Sequence, residues 1–248
     1  MPFININNLP VIKALAKRDF ALPTMVGNSN LLLANTPRLR SSITGMQTIM
    51  SNVGLGRIAA LMNVPANNNL PQQMQVLEQS ILNEMRTYIP NPNPVLLVEI
   101  FHMVQLWGGI TGRNIYVRDG GFAANWNATA YQNFVAASIT PPAGPGPNPR
   151  VALLRAAADQ IDQFGVAFAT KHARFWAQAA NVQPLPIFDR IMALGSMGIK
   201  PGWNDYGRYT AEMAAHAQQA RTNVATLERD AFAQFDTLPG KEWLKARR

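Results

Sequence analysis

Three features of the 248-residue sequence predict an all-α fold. Apolar residues recur at helical spacing, as in Met74, Leu77, Ile81, Leu82 and Met85 between Gln72 and Tyr88. Prolines and glycines punctuate such windows at intervals of about one helix. No alternating run of β-branched residues marks a strand, and no segment repeats at a fixed period.

Taken in order, a short helix is expected at Pro10–Phe20, followed by a loop carrying Pro23, Gly27, Asn28 and Ser29. Ser41 or Ser42 is placed to cap a helix running through Met46, Ile49, Met50 and Val53. Gly54 and Gly56 then make a bend; a phosphate-cradling loop is the alternative, but no strand precedes it. A polar loop at 63–71 leads into the Gln72–Tyr88 helix, which Pro90, Pro92 and Pro94 stop by removing donors and restricting their neighbours. This break is the expected seam between an N-terminal helical subdomain, 1–94, and a second one, 95–248. Val95–Trp107 reads as a buried helix whose polar exceptions, Glu99 and His102, share a face and are expected to hydrogen-bond there. A helix is expected around Ala128–Ala137, and 141–149 is a proline- and glycine-rich connector. Arg150–Phe164 is strongly helical, another helix spans about Asp205–Ala220, and Thr222 is the expected cap of the last, ATLERDAFAQF.

Lys and Arg total 22 against 14 Asp and Glu, a net charge of +8 and a pI near 10.2, which favours a polyanionic partner. Cysteine is absent, so disulfides, thiolate zinc sites and iron–sulfur clusters are excluded, and the three scattered histidines argue against a histidine metal site. No cofactor is expected. The N-terminal stretch lacks a basic head before an apolar core, and no apolar run approaches the ~20 residues of a membrane span. A monomer in the cytoplasm, associated with the nucleoid, is the expectation.

Two stretches carry candidate chemistry. Trp107-Gly-Gly-Ile-Thr-Gly-Arg113 lets the backbone approach a partner closely, and Thr111, Arg113 and Arg118 supply phosphate-type donors; a glycine-capped helix end is the compatible, plainer reading. The second stretch is Ile161–Arg190. A glycine turn at Gly165 would aim backbone amides at a phosphate. Lys171 follows in the early turns of the next helix, where the dipole favours a neutral, nucleophilic amine if water is excluded. Asp189, eighteen positions on, ends the run Leu-Pro-Ile-Phe-Asp and is able to take a proton or to stabilise positive charge on a sugar ring. On the alternative reading Lys171 lies along the surface and Asp189 simply caps a helix beginning at Arg190.

The segment Gly165-Val-Ala-Phe-Ala-Thr-Lys171, with Leu185-Pro-Ile-Phe-Asp189, resembles the hairpin-lysine and aspartate signature of the helix-hairpin-helix DNA glycosylase superfamily, and its 8-oxoguanine glycosylase-like branch in particular. The resemblance covers roughly residues 150–215. Ala167 stands where most members carry glycine, and the lysine is displaced by about two positions. The resemblance implies two helical subdomains flanking a cleft, with a helix-hairpin-helix element. It implies an enzyme that flips a damaged base, such as 8-oxoguanine, out of double-stranded DNA and cleaves its N-glycosidic bond, with possible strand cleavage (AP-lyase activity) through the lysine. Lys171 and Asp189 are then the expected catalytic residues, and Gly165, Ala167, Thr170, Arg113 and Arg118 the expected DNA contacts. Trp107, Phe168, Trp176 and Trp203 are candidate walls for the flipped base, or else core. The alternative is a non-catalytic, nucleic-acid-binding α-helical protein, nucleocapsid-like or defence-associated, to which the same charge is equally suited.

Overall fold

A computed structural model describes residues 37–62, 70–141, 149–235 and 244. Every regular element among them is helical, and none of these helices is long and apolar enough to cross a membrane. The helix expected at Pro10–Phe20, the loop carrying Pro23, Gly27, Asn28 and Ser29, residues 63–69 of the polar loop and 142–148 of the connector lie outside the described residues.

The first described helix, α1 (Pro37–Asn52), begins ahead of Ser41 and Ser42, so neither serine caps it. The Ser42 hydroxyl instead accepts the Ile110 amide at 3.0 Å, far along the chain. A bend at Gly54, φ +83°, leads to the single turn α2 (Gly56–Ala59). Helix α3 (Leu70–Tyr88) buries the stripe Met74, Leu77, Ile81 and Met85. The proline break is a turn into α4 (Pro94–Gly108): Pro94 needs no amide donor there, and the Asn93 side chain accepts the Val95 and Leu96 amides. The predicted boundary between 94 and 95 falls at this turn, and residues on both sides of it join one core cluster.

Glu99 and His102 do not pair. Glu99 is half-exposed and binds Arg57, whereas His102 is buried and bonds the Tyr116 hydroxyl through Nδ1 at 2.8 Å. They sit three residues apart on a helix whose outer edge meets α2, so one side chain reaches out and the other in. Two single turns, α5 (Asn114–Val117) and α6 (Phe122–Asn125), precede α7 (Ala128–Ile139), capped by Asn127. Helix α8 (Pro149–Ala158) is shorter than expected. The chain leaves the helix because Ile161 and Phe164 turn into the core and Gln163 adopts φ +62°, which no helix permits.

Everything is arranged about α9 (Val166–Ala179), which packs against α3, α4, α7 and α8. Because it is enclosed on nearly all sides, even Thr170, Lys171 and His172 are buried. His172 bonds Tyr131 at 2.6 Å and lies against Phe101 and Phe164. Trp176 has no exposed surface and donates its indole N–H to the Tyr131 hydroxyl at 3.1 Å. It is therefore a core residue and not a wall for a flipped base.

After α9 the chain runs without regular structure through 183–189, where Pro184 and Pro186 forbid a helix. This strap is held by long-range hydrogen bonds. Arg150, almost fully buried, donates to the Gln183 carbonyl at 2.9 Å and to Ser138 at 2.6 Å. The Tyr206 hydroxyl donates to Pro186, and the Phe188 amide donates to Thr170 Oγ1 at 3.0 Å. Helices α10 (Arg190–Met197), α11 (Trp203–Gln219) and α12 (Val224–Phe235) complete the order. Gly198 closes α10 in the left-handed region, φ +68°. Asn223, rather than Thr222, caps α12 by accepting the Thr226 amide at 2.9 Å.

Trp176→Ala empties the space at the junction of α3, α7 and α9 and removes one of the two hydrogen bonds of the Tyr131 hydroxyl, leaving that to His172. Urea unfolding should show a loss of about 3–5 kcal/mol; a loss under about 1 kcal/mol would contradict a core role.

Candidate functional site

The strap delivers Asp189 beside α9. Its Oδ1 accepts the Ile191 and Met192 amides at 3.0 and 3.1 Å, capping α10, while Oδ2 lies 3.6 Å from Lys171 Nζ. Capping leaves one carboxylate oxygen free to face the amine. Both side chains are largely buried, at 9% and 15% exposure, yet both line a cavity of about 340 Å³. The ammonium also stands 4.6 Å above the Phe168 ring.

A second ion pair lies alongside. Arg174, one turn along α9, approaches Glu228 Oε2 at 3.1 Å, close enough to pair but not aligned as a hydrogen bond. Glu228 Oε1 accepts the Ile187 amide at 3.1 Å, pinning the strap to α12 two residues before Asp189. Burial pushes the Glu228 carboxyl up to about 7, against the opposing pull of Arg174 and the Ile187 amide. Arg174 and Glu228 also line the cavity.

The glycine-rich run builds one cavity wall. A methyl group at Gly108 or Gly112 would collide with the Phe168 ring, and one at Gly109, φ +76°, with the Ser42 hydroxyl. What the glycines approach is thus this protein's own aromatic ring and serine. Trp107 completes the wall, edge-on to Phe175 at 5.0 Å, with its indole N–H donating to Glu78 Oε1 at 3.0 Å. Met74, Phe232 and Ile191 supply further apolar lining, and the exposed Arg190 and Arg229 stand at the cavity.

The structure therefore brings together Lys171, Asp189, Trp107, Phe168, Ala167 and Thr111. Trp203, half-buried edge-on to Tyr206, is not part of the lining, and neither are Arg113 and Arg118, which are exposed elsewhere. Thr170 has no exposed surface and its hydroxyl is committed to the strap, so it is a latch and not a DNA contact. Gly165 is exposed, with open space where a side chain would go. The turn ahead of it carries exposed Asp159 and Asp162, charges that oppose a phosphate. Glu78, Arg174 and Glu228 were not among the expected site residues. Glu78 lies four residues after Met74 and Glu228 four after Val224, so each acid occupies an apolar-stripe position, which is the signal that marks them.

A buried acid whose folded pKa is raised prefers its protonated form in the fold. Its contribution to stability is therefore present below the unfolded value of about 4.5 and is lost as pH rises through about 7. Subtracting the stability of Glu228→Gln from that of the wild type cancels the histidines. That difference should fall between pH 4.5 and 7 and stay level above; a difference flat in pH would refute the shift. Comparison with protein-family models, with curated proteins and with solved structures returns no match to this chain.

Proposed function

We propose that the protein is a DNA base-excision glycosylase with lyase activity, acting on double-stranded DNA that carries a damaged base such as 8-oxoguanine. The observation that carries this reading is the 3.6 Å approach of the Lys171 amine to the Asp189 carboxylate on the wall of one cavity. The net charge of +8, with Arg190 and Arg229 at the cavity, suits a polyanionic backbone. In this reading the cavity serves as the cleft between two helical lobes, and the turn 159–165 with the start of α9 serves as the hairpin. The protein works as a monomer on nucleoid DNA in the cytoplasm.

The flipped nucleotide enters with its sugar C1′ toward Lys171. Lys171 first passes one ammonium proton to Asp189, which frees the nitrogen lone pair. The amine then bonds to C1′ as the glycosidic bond breaks, and the base leaves with that electron pair and takes the proton from Asp189. The carboxylate so restored offsets charge on the sugar and receives the second proton of the nitrogen, which it hands to the ring oxygen as the sugar opens. Opening of the sugar ring gives an imine between C1′ and Lys171, from which β-elimination expels the 3′ phosphate. Trp107 and Phe168 flank the base.

Incubation with an abasic or 8-oxoguanine duplex and sodium borohydride should reduce that imine to a stable adduct, visible by denaturing electrophoresis and absent from Lys171→Ala. Asparagine still caps a helix, so Asp189→Asn should remain folded and bind DNA, with base release slowed by about 10²-fold or more. DNA binding with no adduct in the wild type would instead favour a non-catalytic nucleic-acid-binding protein.

A further inference from the structure

Of the charged residues that line the cavity, Glu78 is the one acid without an ion-pair partner among the described residues. Lys171 faces Asp189 and Arg174 faces Glu228. Among the described residues no basic side chain lies within the 4 Å of an ion pair from Glu78, whose neighbour is the neutral indole N–H of Trp107. The indole is fixed by its edge-on contact with Phe175 and by this hydrogen bond, so its donor is already committed. Among the described residues no further partner takes Glu78 Oε2 or the remaining lone pair of Oε1, which leaves both to whatever occupies the cavity.

We propose that Glu78, oriented by Trp107, is the specificity-determining acceptor of this cavity, and that it selects a nucleobase presenting two adjacent N–H donors. The inference rests on the nucleotide-flipping reading given above and names the edge that the site accepts. An ionised carboxylate accepts hydrogen bonds and donates none. Glu78 lines the cavity with Met74, Phe168 and Trp107 and is only partly buried, so a ligand that covers it must supply donors or leave a charge unsatisfied. A guanine-type edge places a ring N–H next to an exocyclic amine, two donors side by side that match a carboxylate. Adenine sets its amine beside a ring acceptor, and thymine or uracil flanks one N–H with two carbonyls; each turns a lone pair toward Glu78. Phe168 lies under Lys171 and against Gly108, the residue after Trp107, so in this reading a base held at Glu78 lies along the aromatic wall with its sugar toward the amine.

Guanosine and inosine differ only in the exocyclic amine, and their binding to the full chain is readable through tryptophan fluorescence without any catalysis. Wild-type protein should bind guanosine about 10-fold more tightly than inosine, in line with one lost charge-assisted hydrogen bond. In Glu78→Gln, whose amide offers one acceptor and one donor, the ratio should fall to near unity. Equal affinities in the wild type, a ratio retained in Glu78→Gln, or no binding of guanosine at millimolar concentration would each overturn the proposal. A nucleoside preference without a borohydride adduct would uphold Glu78 and defeat the glycosylase reading; an adduct without the preference would do the reverse.

Discussion

The site depends on keeping a lysine and an aspartate together away from bulk water. Taking two ions out of solvent costs several kcal/mol each unless they meet and their other polar atoms are satisfied. Here α9 is wrapped by four other helices, which leaves the Lys171 side chain only 9% exposed, on the wall of the cavity. Asp189 meets the remaining requirement by giving one oxygen to the first turn of α10 and the other to the amine. The cap and the ion pair therefore coexist: the residue that starts the helix is also the one that faces Lys171.

Holding Asp189 in place is the work of the strap at 183–189. Its prolines rule out helix, and its backbone groups reach four separate partners: Arg150, Tyr206, Glu228 and Thr170. Three of these four side chains have under 2% exposure and the fourth 3%, so the strap is tied to the rigid interior and not to mobile surface groups. The opposite wall obeys a steric rule. Glycines at 108 and 112 leave room for one phenylalanine ring, which lies under the lysine. Two independent constraints, polar latching on one side and glycine clearance on the other, thus define the same cavity.

The helices were readable because their apolar residues recur at helical spacing, and the lysine–aspartate pair because one helix and one proline-stiffened strap separate the two residues. For Glu228 the local signal is only its place on an apolar stripe, and its partner amide lies 41 positions away. In the run Glu228-Arg229-Asp230 it looks like part of a solvated charged face, yet Glu228 and Asp230 are buried and Arg229 is exposed. The two readings of Trp176, cavity wall or core, stay open in the sequence for a related reason: an aromatic residue on a helix looks the same whether it faces a cavity or a core, and only the packing of α3 and α7 against α9 decides it. The α8 terminus was overestimated because Ile161 and Phe164 keep the apolar spacing of a helix while the backbone has already turned. The glycine run was correctly seen to permit a close approach, but the partner is Phe168, more than fifty residues away in sequence.

The most direct test is to locate the covalent bond itself. After borohydride reduction on an abasic duplex, nuclease and protease digestion followed by tandem mass spectrometry should find the deoxyribose-derived mass on Lys171. The same mass on Lys200, on a lysine of the C-terminal tail or on the chain's amino terminus, or on no residue, would contradict the account.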